Sequence, residues 1–536
     1  MSLVLGFFVY RNWLTSGDGL DTGTSGKVNS VRPPSLPNVI PLLGRIPIGL
    51  FWNPSKFYLS NSVFWQRHTI RVKAMFQDIY IIQGARDMRN YFNQRSLSLF
   101  FLQPIIMRNV FSLPAATVKA YLSDNSGEGP EPLPGTNVLP HNRVEYLFRQ
   151  SQRRFLTGPG QTSFFRRFDI NAAKRFSNLD FSDEWTHVPD FTAIFKSDLT
   201  AAVMDALAGP GLMRRNPSFA EDLWAFNEGV GRLLLGLPRF LSWKSHQARR
   251  RVLDAVRDWQ AWASKNFTPD SIDEDGNDPF WGCKFFRERQ EMFAKVDGFG
   301  VDAVASEDLS FLWSSVTNAN VSSFWATLEV FRDPALLAEV REEVYECIQS
   351  SPESHLSLDV AKLLHQPLLQ AIFAENLRLR VHGLLARRPP RDINVNNWTI
   401  PRDSLCLASA TTAGMDAEFW CSGEMAAFPV DRFYPGRFLR RSTSTDAVEF
   451  SLAGKGGYWV PFGGGPHSCP GKAFTKRQNI LAVALMVTLY DCEVLGSRED
   501  HKQDMGMLPL GVASPKGKIP VRLRRRLPRT VDCVIA

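Results

Sequence analysis

The sequence has few cysteines, and its N-terminal apolar stretch is short. The seven cysteines are odd in number and widely spaced, with no paired spacing, which favours reduced, cytosol-facing thiols. Leu3 to Tyr10 is apolar, but a helix of that length covers only about 12 Å of the roughly 30 Å needed to span a bilayer. This stretch therefore cannot cross a membrane alone.

Basic residues exceed acidic residues only slightly and lie scattered along the chain. Lys and Arg number 62 against 54 Asp and Glu, which gives a net charge of +8. The clearest basic run, Arg522 to Arg529, is typical of a terminal strand with one solvated flank. The pattern is not that of a nucleic-acid-binding protein, whereas the positive charge suits an anionic membrane face or an acidic redox partner.

A polar stretch up to Ser30 and a proline-rich segment from Arg32 to Pro41 follow the apolar N-terminus. We predict a short or truncated membrane anchor joined by this segment to a folded domain. A frayed apolar terminus is the alternative. Deletion of the first thirty residues would abolish membrane association only in the first case.

A glycine-rich segment near the C-terminus carries the clearest chemical signal. Residues 461–471 read Pro-Phe-Gly-Gly-Gly-Pro-His-Ser-Cys-Pro-Gly and place Cys469 directly before a predicted helix over 471–490. Backbone N–H groups and the positive end of a helix dipole stabilise a thiolate. Glycines let the backbone close around the sulfur and lie flat under a planar cofactor, and Phe462 would limit water there. We predict that Cys469 is an iron ligand.

Two alternatives exist for this segment. A lone cysteine after a turn is often only a small buried hydrophobic residue. A phosphate-binding loop is the other, because Gly471 and Lys472 form a Gly-Lys pair. However, Pro466 stands where the leading glycine belongs, and Ala473 replaces the hydroxyl that binds Mg²⁺.

The segment resembles the haem loop of the cytochrome P-450 family, Phe-x-x-Gly-x-x-x-Cys-x-Gly. Its fixed positions are all matched, by Phe462, Gly465, Cys469 and Gly471. The resemblance implies haem b held by the Cys469 thiolate and a mainly α fold with a smaller β region. It also implies an anchor-like N-terminus and linker over 1–31, a haem-thiolate domain over 32–527 and a tail over 528–536.

Two further motifs resemble those of the same family. Glu375 and Arg378 are three residues apart, so on a helix they share one face and can pair. They match the family's Glu-x-x-Arg, and residues 433–438 resemble its Phe-x-Pro-x-Arg-Phe segment. The resemblance implies that Arg437 joins the same carboxylate in a buried triad that haem incorporation requires.

The haem propionates have two candidate partners. His467 stands two residues before the cysteine, where the family often has arginine, and a hydrogen-bonded loop histidine is the alternative. Arg387 lies near the position at which the family usually has a strand arginine, and Arg388 is the alternative residue for this propionate contact.

Residues 307–331 resemble the central helix of the family, in which most members carry an acid and a threonine that relay protons. Asn320 stands at the acid's place and Val321 at the threonine's. A valine cannot donate a proton, and an amide has no useful pKa for acid catalysis. Ser322 is therefore a candidate for holding a water. Alternatively, the amides of this helix only satisfy each other.

Asn318, together with Phe324 and Trp325, resembles the branch that contains sterol 7-alpha-hydroxylases and prostacyclin synthase. This resemblance implies a monooxygenase that uses O₂ and electrons from an NADPH-dependent cytochrome P-450 reductase. A redox-independent isomerase acting on a peroxide and a non-catalytic haem sensor are the alternatives. The expected substrate is lipophilic, such as a sterol, terpenoid or polyketide of specialised metabolism, and the expected location is the cytosolic face of the endoplasmic reticulum membrane.

Local patterns predict further elements. Alternation favours strands over 70–76 and 78–82, and Pro334 and Pro367 open helices. A mobile loop is predicted over 123–141, because Gly, Pro, Asn and Ser are frequent there. Residues 507–511 and 518–522 resemble the terminal hairpin of the family.

Overall fold

A computed structural model describes most of the chain. The described residues are 31–35, 68–74, 77–94, 97–350, 356–444, 446–506, 508, 510–526 and 533–535. The apolar stretch from Leu3 to Tyr10 lies outside them, so the predicted anchor stays a prediction. No helix within the described ranges is both long and apolar enough to cross a membrane.

Helices dominate the described residues. The helices are α1 Ala85–Phe92, α2 Gln103–Asn109, α3 Ala115–Ser123, α4 Val144–Thr157, α5 Gly160–Ser177, α6 Thr192–Ile194, α7 Thr200–Ala208, α8 Pro210–Arg215, α9 Phe219–Leu234, α10 Trp243–Asn266, α11 Lys284–Phe293, α12 Val301–Phe331, α13 Pro334–Tyr345, α14 Val360–Leu363, α15 Pro367–Arg380, α16 Ala410–Gly414, α17 Ala417–Trp420 and α18 Lys472–Leu489. A π-helical turn, Phe195–Leu199, joins α6 to α7. The helix predicted over 471–490 and those opened by Pro334 and Pro367 are confirmed.

The strands in the described part of the chain are short and belong to five small sheets. They are β1 Ile70–Ala74, β2 Gln77–Ile82, β3 Thr186–Val188, β4 Ile348–Ser350, β5 Leu356–Leu358, β6 Leu384–Arg387, β7 Ile393–Val395, β8 Trp398–Ile400, β9 Leu405–Ser409, β10 Leu439–Arg441, β11 Val448–Phe450, β12 Tyr490–Val494, β13 Val521–Arg525 and β14 Cys533–Ile535. The predicted fold class, mainly α with a smaller β region, is confirmed.

The chain divides into two compact units. The strand-rich unit contains the described residues up to 101 together with 374–469 and 503–514, and the helical unit contains 102–373, 470–502 and the residues from 515 onward. The largest sheet of the strand-rich unit has the order β1-β2-β9-β6, in which β2 and β9 are parallel. Its β1–β2 pair confirms the two predicted strands, although β2 is buried on both faces from Ile79 to Ile82.

The helical unit is built around α12, a helix of 31 residues that packs along α18. The next helix, α13, begins at Pro334, and the Asp333 carboxylate caps it by accepting hydrogen bonds from the backbone N–H groups of Ala335 and Leu336. Helix α18 is buried from Gln478 to Leu489, so its C-terminal part lies in the core of this unit. The end that begins after the cysteine, at Lys472, is less buried.

The predicted terminal hairpin is wrong for residues 518–522. Strand β13 pairs instead with β12 and β3, and its partners on β12 bear the opposite charge. Arg522 lies opposite Glu493 and Arg524 opposite Asp491, with N–O distances of 3.0 Å in both pairs. Cross-strand ion pairs thus accompany a strand pairing that the local sequence does not specify.

The loop predicted over 123–141 has no helix or strand between Ser123 and a 3-10 turn at Pro140–Asn142, and Arg143 forms hydrogen bonds with it. This guanidinium is 6% exposed and donates to the Ser126 hydroxyl at 3.1 Å and to the Pro130 carbonyl at 2.6 Å. It also donates to the carbonyls of Gly127 and Gly129. These hydrogen bonds hold residues 126–130, and the predicted mobility of the loop stays a prediction.

Candidate functional site

Cys469 lies on an exposed part of the glycine-rich loop. Its backbone N–H donates to the carbonyl oxygen of Phe462 at 3.0 Å, which closes the loop on itself. Gly471 is the N-cap of α18, so the cysteine precedes this helix along the chain, as predicted. The exposure argues against the alternative in which Cys469 is only a buried packing residue.

The other described cysteines differ from Cys469 in their environment. Cys283, Cys347 and Cys406 are buried, and Cys421 and Cys492 are half-buried. Burial raises the pKa of Cys283 to about 11 and that of Cys406 to about 12. These thiols are therefore poor sources of a thiolate at neutral pH. No group of three or more His, Cys, Asp or Glu side chains that could hold a metal ion occurs among the described residues.

The loop takes a backbone path that requires glycine at two positions. Gly465 has φ of 65°, and a Cβ added there would lie 2.2 Å from the carbonyl oxygen of Phe92 in α1. A Cβ added to Gly464 would lie 2.6 Å from Cγ of the same phenylalanine. Because the loop sits this closely on α1, its shape is fixed by backbone contact, and the thiol is presented from a rigid support.

Phe462 is half-buried and is held by a second aromatic residue. Its ring lies 6.2 Å from that of Trp459, at an interplanar angle of 75°. The Trp459 indole in turn donates to the carbonyl oxygen of Ala374 in α15 at 3.0 Å. The predicted apolar cover of the loop is thus anchored to the helix that carries Glu375.

Glu375, Arg378 and Arg437 come together as a buried triad. Arg378 donates through Nε to Glu375 Oε2 at 2.6 Å and through Nη2 to Oε1 at 2.8 Å, while Arg437 Nη1 donates to Oε1 at 3.0 Å. The three residues are 0%, 3% and 4% exposed. The remaining N–H groups of Arg437 donate to the carbonyls of Trp420, Phe428, Pro429 and Arg432.

This triad has excess positive charge, and its hydrogen bonds compensate for burial. One carboxylate faces two guanidinium groups, and it also accepts a hydrogen bond from the backbone N–H of Tyr434 at 3.0 Å. Buried charges are tolerated when they are paired and their remaining donors are satisfied, as they are here. The triad therefore fastens α15 to the segment that leads into the cysteine loop.

His467 and Arg387 lie side by side in the strand-rich unit. The His467 Nε2 donates to the carbonyl oxygen of Leu97 at 2.7 Å, which agrees with the alternative of a hydrogen-bonded loop histidine at that nitrogen. Arg387 is 4% exposed, and its Nη2 lies 3.5 Å from the carbonyl oxygen of His467. Arg388 instead stacks on Phe101 at 4.4 Å, and burial lowers the pKa of its guanidinium.

These residues fit an anionic planar cofactor with a metal at its centre. The exposed Cys469 sulfur supplies a soft ligand on a glycine support, and Arg387 supplies a positive charge near the same loop. A guanidinium is the usual partner of a carboxylate. The donor set therefore suits haem.

The central helix α12 holds Asn320 away from solvent. Its Nδ2 donates to the Phe195 carbonyl and to the Thr200 hydroxyl, both at 2.9 Å, and its Oδ1 accepts from the Gln478 amide at 2.7 Å. The residue is 0% exposed. These bonds support the alternative interpretation, in which an amide of this helix satisfies neighbouring polar groups.

Ser322 is equally enclosed. Its hydroxyl donates to Oδ1 of Asn479 in α18 at 2.7 Å, and the residue is 0% exposed. Val321 is also buried. Asn320, at the place of the acid, and Ser322, the candidate for holding a water, therefore both connect α12 to its neighbours in the helical unit.

A different part of α12 is accessible. From Ala303 to Phe331 the helix is buried except at four residues, which we call the accessible stripe: Trp313, Ser314, Ser315 and Asn318. Ser314 and Asn318 are four residues apart and share one helix face. The Trp313 indole donates to Oδ1 of Asn227 in α9 at 3.0 Å, which fixes one edge of the stripe.

Asn318 is half-buried and so differs from the enclosed Asn320 and Ser322. Trp313 and Ser314 were not predicted, although their spacing from Asn318 is helical. The signal that could have found Ser314 is its position one turn before Asn318, a position at which helix residues share a face. The tryptophan gave no local signal, since its partner Asn227 is distant in sequence.

Comparisons with known proteins agree with this site. The family model described as Cytochrome P450 matches residues 239–521. Cytochrome P450 monooxygenase fsoE of Humicola fuscoatra is 29% identical over 554 aligned positions, covering 96% of this chain and 92% of the relative. Cytochrome P450 monooxygenase efuG of Hormonema carpetanum is 27% identical over 523 positions, which cover 92% of this chain and 90% of the relative. Cytochrome P450 monooxygenase calL of Penicillium decumbens is 29% identical over 472 positions, which cover 83% of this chain and 84% of the relative.

The predicted branch has weaker support than the family. Cytochrome P450 7A1 of Oryctolagus cuniculus is 23% identical over 305 positions, which cover 54% of this chain and 57% of the relative. The family model, in contrast, spans more than half of the chain and includes both the Glu375 triad and the cysteine loop. This chain belongs to the cytochrome P450 family, the haem-thiolate monooxygenases that hold haem b through a cysteine.

Proposed function

We propose that this chain oxidises a lipophilic small molecule, such as a sterol, terpenoid or polyketide, with O₂ and electrons from an NADPH-dependent cytochrome P450 reductase. The observation that carries the proposal is the exposed Cys469 on a loop shaped by Gly464 and Gly465. The similar proteins from three fungi, each named a monooxygenase, support the same reaction class.

The strand-rich unit would hold the cofactor. In this proposal Cys469 ligates the iron, Phe462, Gly465 and Gly471 shape the loop, and Arg387 and His467 lie near the propionates. Glu375, Arg378 and Arg437 hold the backbone around that loop. Haem with a thiolate ligand supplies oxygen activation, because the thiolate donates electron density that favours O–O cleavage. The protein residues hold the cofactor in position and exclude water from it.

The accessible stripe of α12 would serve the substrate and the proton supply. The Asn318 amide can donate and accept hydrogen bonds, and the Ser314 hydroxyl, which donates to the Phe311 carbonyl oxygen at 3.0 Å, can accept one, so they can hold a water or a polar group of the substrate. Neither side chain releases a proton near neutral pH, so the proton must come through such a water. Asn320 and Ser322 act indirectly, by fixing α12 against α18 and the π-helical turn.

The absorption spectrum of the reduced protein with carbon monoxide tests the iron ligand. The native protein is expected to show the long-wavelength band of thiolate ligation, and Cys469→Ala is expected to lose it. Cys492→Ala removes a half-buried thiol elsewhere and serves as the matched control, with an unchanged band. A normal band in Cys469→Ala would refute the ligand assignment. Full haem content without any carbon monoxide band would favour the non-catalytic sensor.

A redox-independent peroxide isomerase is the second candidate function. It is favoured by the composition of the accessible stripe, which carries hydroxyl, amide and indole groups but no acid. Oxidation is expected to require the reductase and NADPH. Product formation from a peroxide substrate, without any source of electrons, would instead establish the isomerase.

A membrane contact is supported by the end of the α9–α10 connection and the first residue of α10. Phe240, Leu241 and Trp243, which we call the apolar segment, are 77%, 59% and 52% exposed. Arg239 and Lys244 flank them. Exposed aromatic and apolar side chains beside basic residues are typical of a membrane-surface contact. We propose that this segment contacts the cytosolic face of the endoplasmic reticulum membrane.

Co-sedimentation with phosphatidylcholine vesicles tests this contact. The double variant Phe240→Ser/Leu241→Ser is expected to bind these vesicles several-fold more weakly than the native chain, since two apolar side chains no longer leave water. Leu122→Ser removes a leucine that is 72% exposed on α3 and is the control. Equal binding by the double variant and the control would contradict the placement.

A further inference from the structure

A cleft of about 390 Å³ lies between α9 and α10 in the helical unit. The two helices approach closely at its floor, because a Cβ added to Gly229 would lie 2.8 Å from Cβ of Ser245. Longer polar side chains line the rest of the cleft. We call it the basic cleft, and its long lining residues are Glu228, Arg232, Trp243, Lys244, Gln247 and Arg251.

Positive charge dominates this lining. Three cationic side chains stand against one carboxylate, that of Glu228. Arg251 Nε is already paired with Asp222 Oδ1, at 2.5 Å. Arg232 and Lys244 have no ion-pair partner among the described residues, and both are exposed. Two of the cationic groups are therefore available to an anion that enters the cleft.

The geometry of these cations suits a phosphate group. Arg232 can donate two parallel hydrogen bonds to phosphate oxygens, and Lys244 can act as a point charge beside them. The Gln247 amide adds a neutral donor on the same helix as Lys244. The volume of the cleft leaves room for a headgroup larger than inorganic phosphate.

The basic cleft is continuous with the apolar segment. Trp243 belongs to both, since it lines the cleft and is 52% exposed, and it follows Phe240 and Leu241 closely in sequence. Indole side chains favour the boundary between water and acyl chains. A ligand that occupies both features must have an anionic group joined to an apolar chain.

We propose that the basic cleft binds the headgroup of an anionic phospholipid, while Phe240 and Leu241 contact the acyl layer. The inference rests on the membrane contact given under the proposed function and adds a preference for lipid charge to it. Arg232 and Lys244 are the specificity-determining residues, because they have no ion-pair partner in the described part of the chain and together exceed the charge of Glu228 by one. Free phosphate shares the anionic group but would leave the apolar segment without a role.

Vesicle binding by the full-length holoprotein tests the proposal. The native chain is expected to bind vesicles of phosphatidylcholine and phosphatidylserine more tightly than vesicles of phosphatidylcholine alone. Arg232→Gln/Lys244→Gln is expected to lose about thirty-fold in affinity for the mixed vesicles and nothing for the neutral ones, since each basic residue near an anionic surface contributes about five-fold. Arg250→Gln/Lys265→Gln makes the same charge change at exposed positions of α10 outside the cleft.

Three outcomes would overturn the proposal. The cleft variant could keep its preference for anionic vesicles, or lose no more than the control variant. Alternatively, inorganic phosphate could displace the protein from mixed vesicles as well as soluble glycerophosphoserine does, which would make the cleft a general anion site.

The readouts also distinguish a failure of this proposal from a failure of the membrane contact on which it rests, or of the oxidation proposal. The cleft variant is expected to keep its carbon monoxide spectrum and its turnover in detergent solution. A failed oxidation proposal would appear as absent turnover in detergent solution, in the native chain and the variant alike. A failed membrane contact would appear as unchanged binding of neutral vesicles by Phe240→Ser/Leu241→Ser.

Discussion

The Asn320 side chain donates a hydrogen bond to the backbone carbonyl oxygen of Phe195 at 2.9 Å. Phe195 begins the π-helical turn, where carbonyl groups lack their usual partners four residues on. The next carbonyl, of Lys196, accepts from the Trp224 indole at 2.8 Å. Two side chains from other helices thus support this turn, and Asn320 is one of them.

Asn320→Ala is therefore expected to weaken the fold. It leaves the Gln478 amide without its Asn320 acceptor in a fully buried place, at a cost of about 1–3 kcal/mol. The free energy of unfolding in denaturant measures this loss. The carbon monoxide spectrum of the folded fraction is expected to stay normal.

Asn318→Ala is the matched control on the same helix. Asn318 is half-buried on the accessible stripe, so its loss is expected to change the free energy of unfolding by less than about 1 kcal/mol. It is expected to lower the amount of product formed per NADPH consumed, because a water or substrate group loses a donor. The opposite pattern in the two variants would reverse the roles given to them.

The choice between these two amides could not be made from the sequence. Both lie in one long helix and both are asparagine, and only the packing of α12 against α18 and the π-helical turn decides which is enclosed. Gln478, the partner of Asn320, is remote in sequence. Spacing identified the helix but not which of its faces is accessible.

Local sequence was sufficient where the interaction itself is local. Glu375 and Arg378 are neighbours on one turn of α15, and Gly465 fits a backbone shape that other residues avoid. The strand partner of Val521–Arg525 was missed because strand pairing joins distant segments. Here it depends on acidic residues of β12, which no pattern within the C-terminal segment reveals.

Gly465→Ala is expected to disrupt the cysteine loop. The substitution combines an unfavourable positive φ, at about 1–2 kcal/mol, with a clash against the Phe92 carbonyl, which α1 holds in place. The loop must move, so the haem content of the purified protein is expected to fall several-fold. Haem is measured by its absorption relative to protein.

Gly454→Ala separates strain from contact in that experiment. Gly454 has φ of 76°, but nothing lies within 4 Å of a Cβ added to it. This variant has only the cost of the unfavourable backbone conformation, without a steric clash, and is expected to bind haem normally. Equal haem loss in both variants would show that the contact with Phe92 is unimportant.

Glu375→Gln tests the buried triad with little change in shape. Two guanidinium groups would lose their carboxylate in a place that is 0–4% exposed, and breaking such a pair typically costs about 3–5 kcal/mol. We expect little folded protein with bound haem. Glu493→Gln breaks an exposed pair with Arg522 and is expected to cost less than about 1 kcal/mol. Normal haem content in Glu375→Gln would refute the role of the triad.

A buried cluster at the first turns of α12 predicts a pH dependence of stability. Glu307 accepts a hydrogen bond from the Tyr121 hydroxyl at 2.5 Å, and its Oε2 lies 3.8 Å from Nη2 of Arg289. The same guanidinium donates to Asp308 at 2.8 Å, so one positive charge faces two carboxyl groups. Burial raises the pKa of Glu307 to about 7, although Arg289 and Tyr121 oppose the shift.

The direction of the pH effect follows from this raised pKa. Between the ordinary value of 4.5 and about 7 the folded state holds a proton on Glu307 that the unfolded state has released. The contribution of Glu307 to the free energy of unfolding is therefore largest below pH 4.5, falls by about 3 kcal/mol as the pH rises to 7 and is then constant. Glu307→Gln cannot titrate and is expected to lack this decline, whereas Glu339→Gln, at an exposed position of α13, should follow the native profile. Denaturant unfolding across this range measures the difference, and parallel curves for the native chain and Glu307→Gln would show that Glu307 enters the fold already ionised.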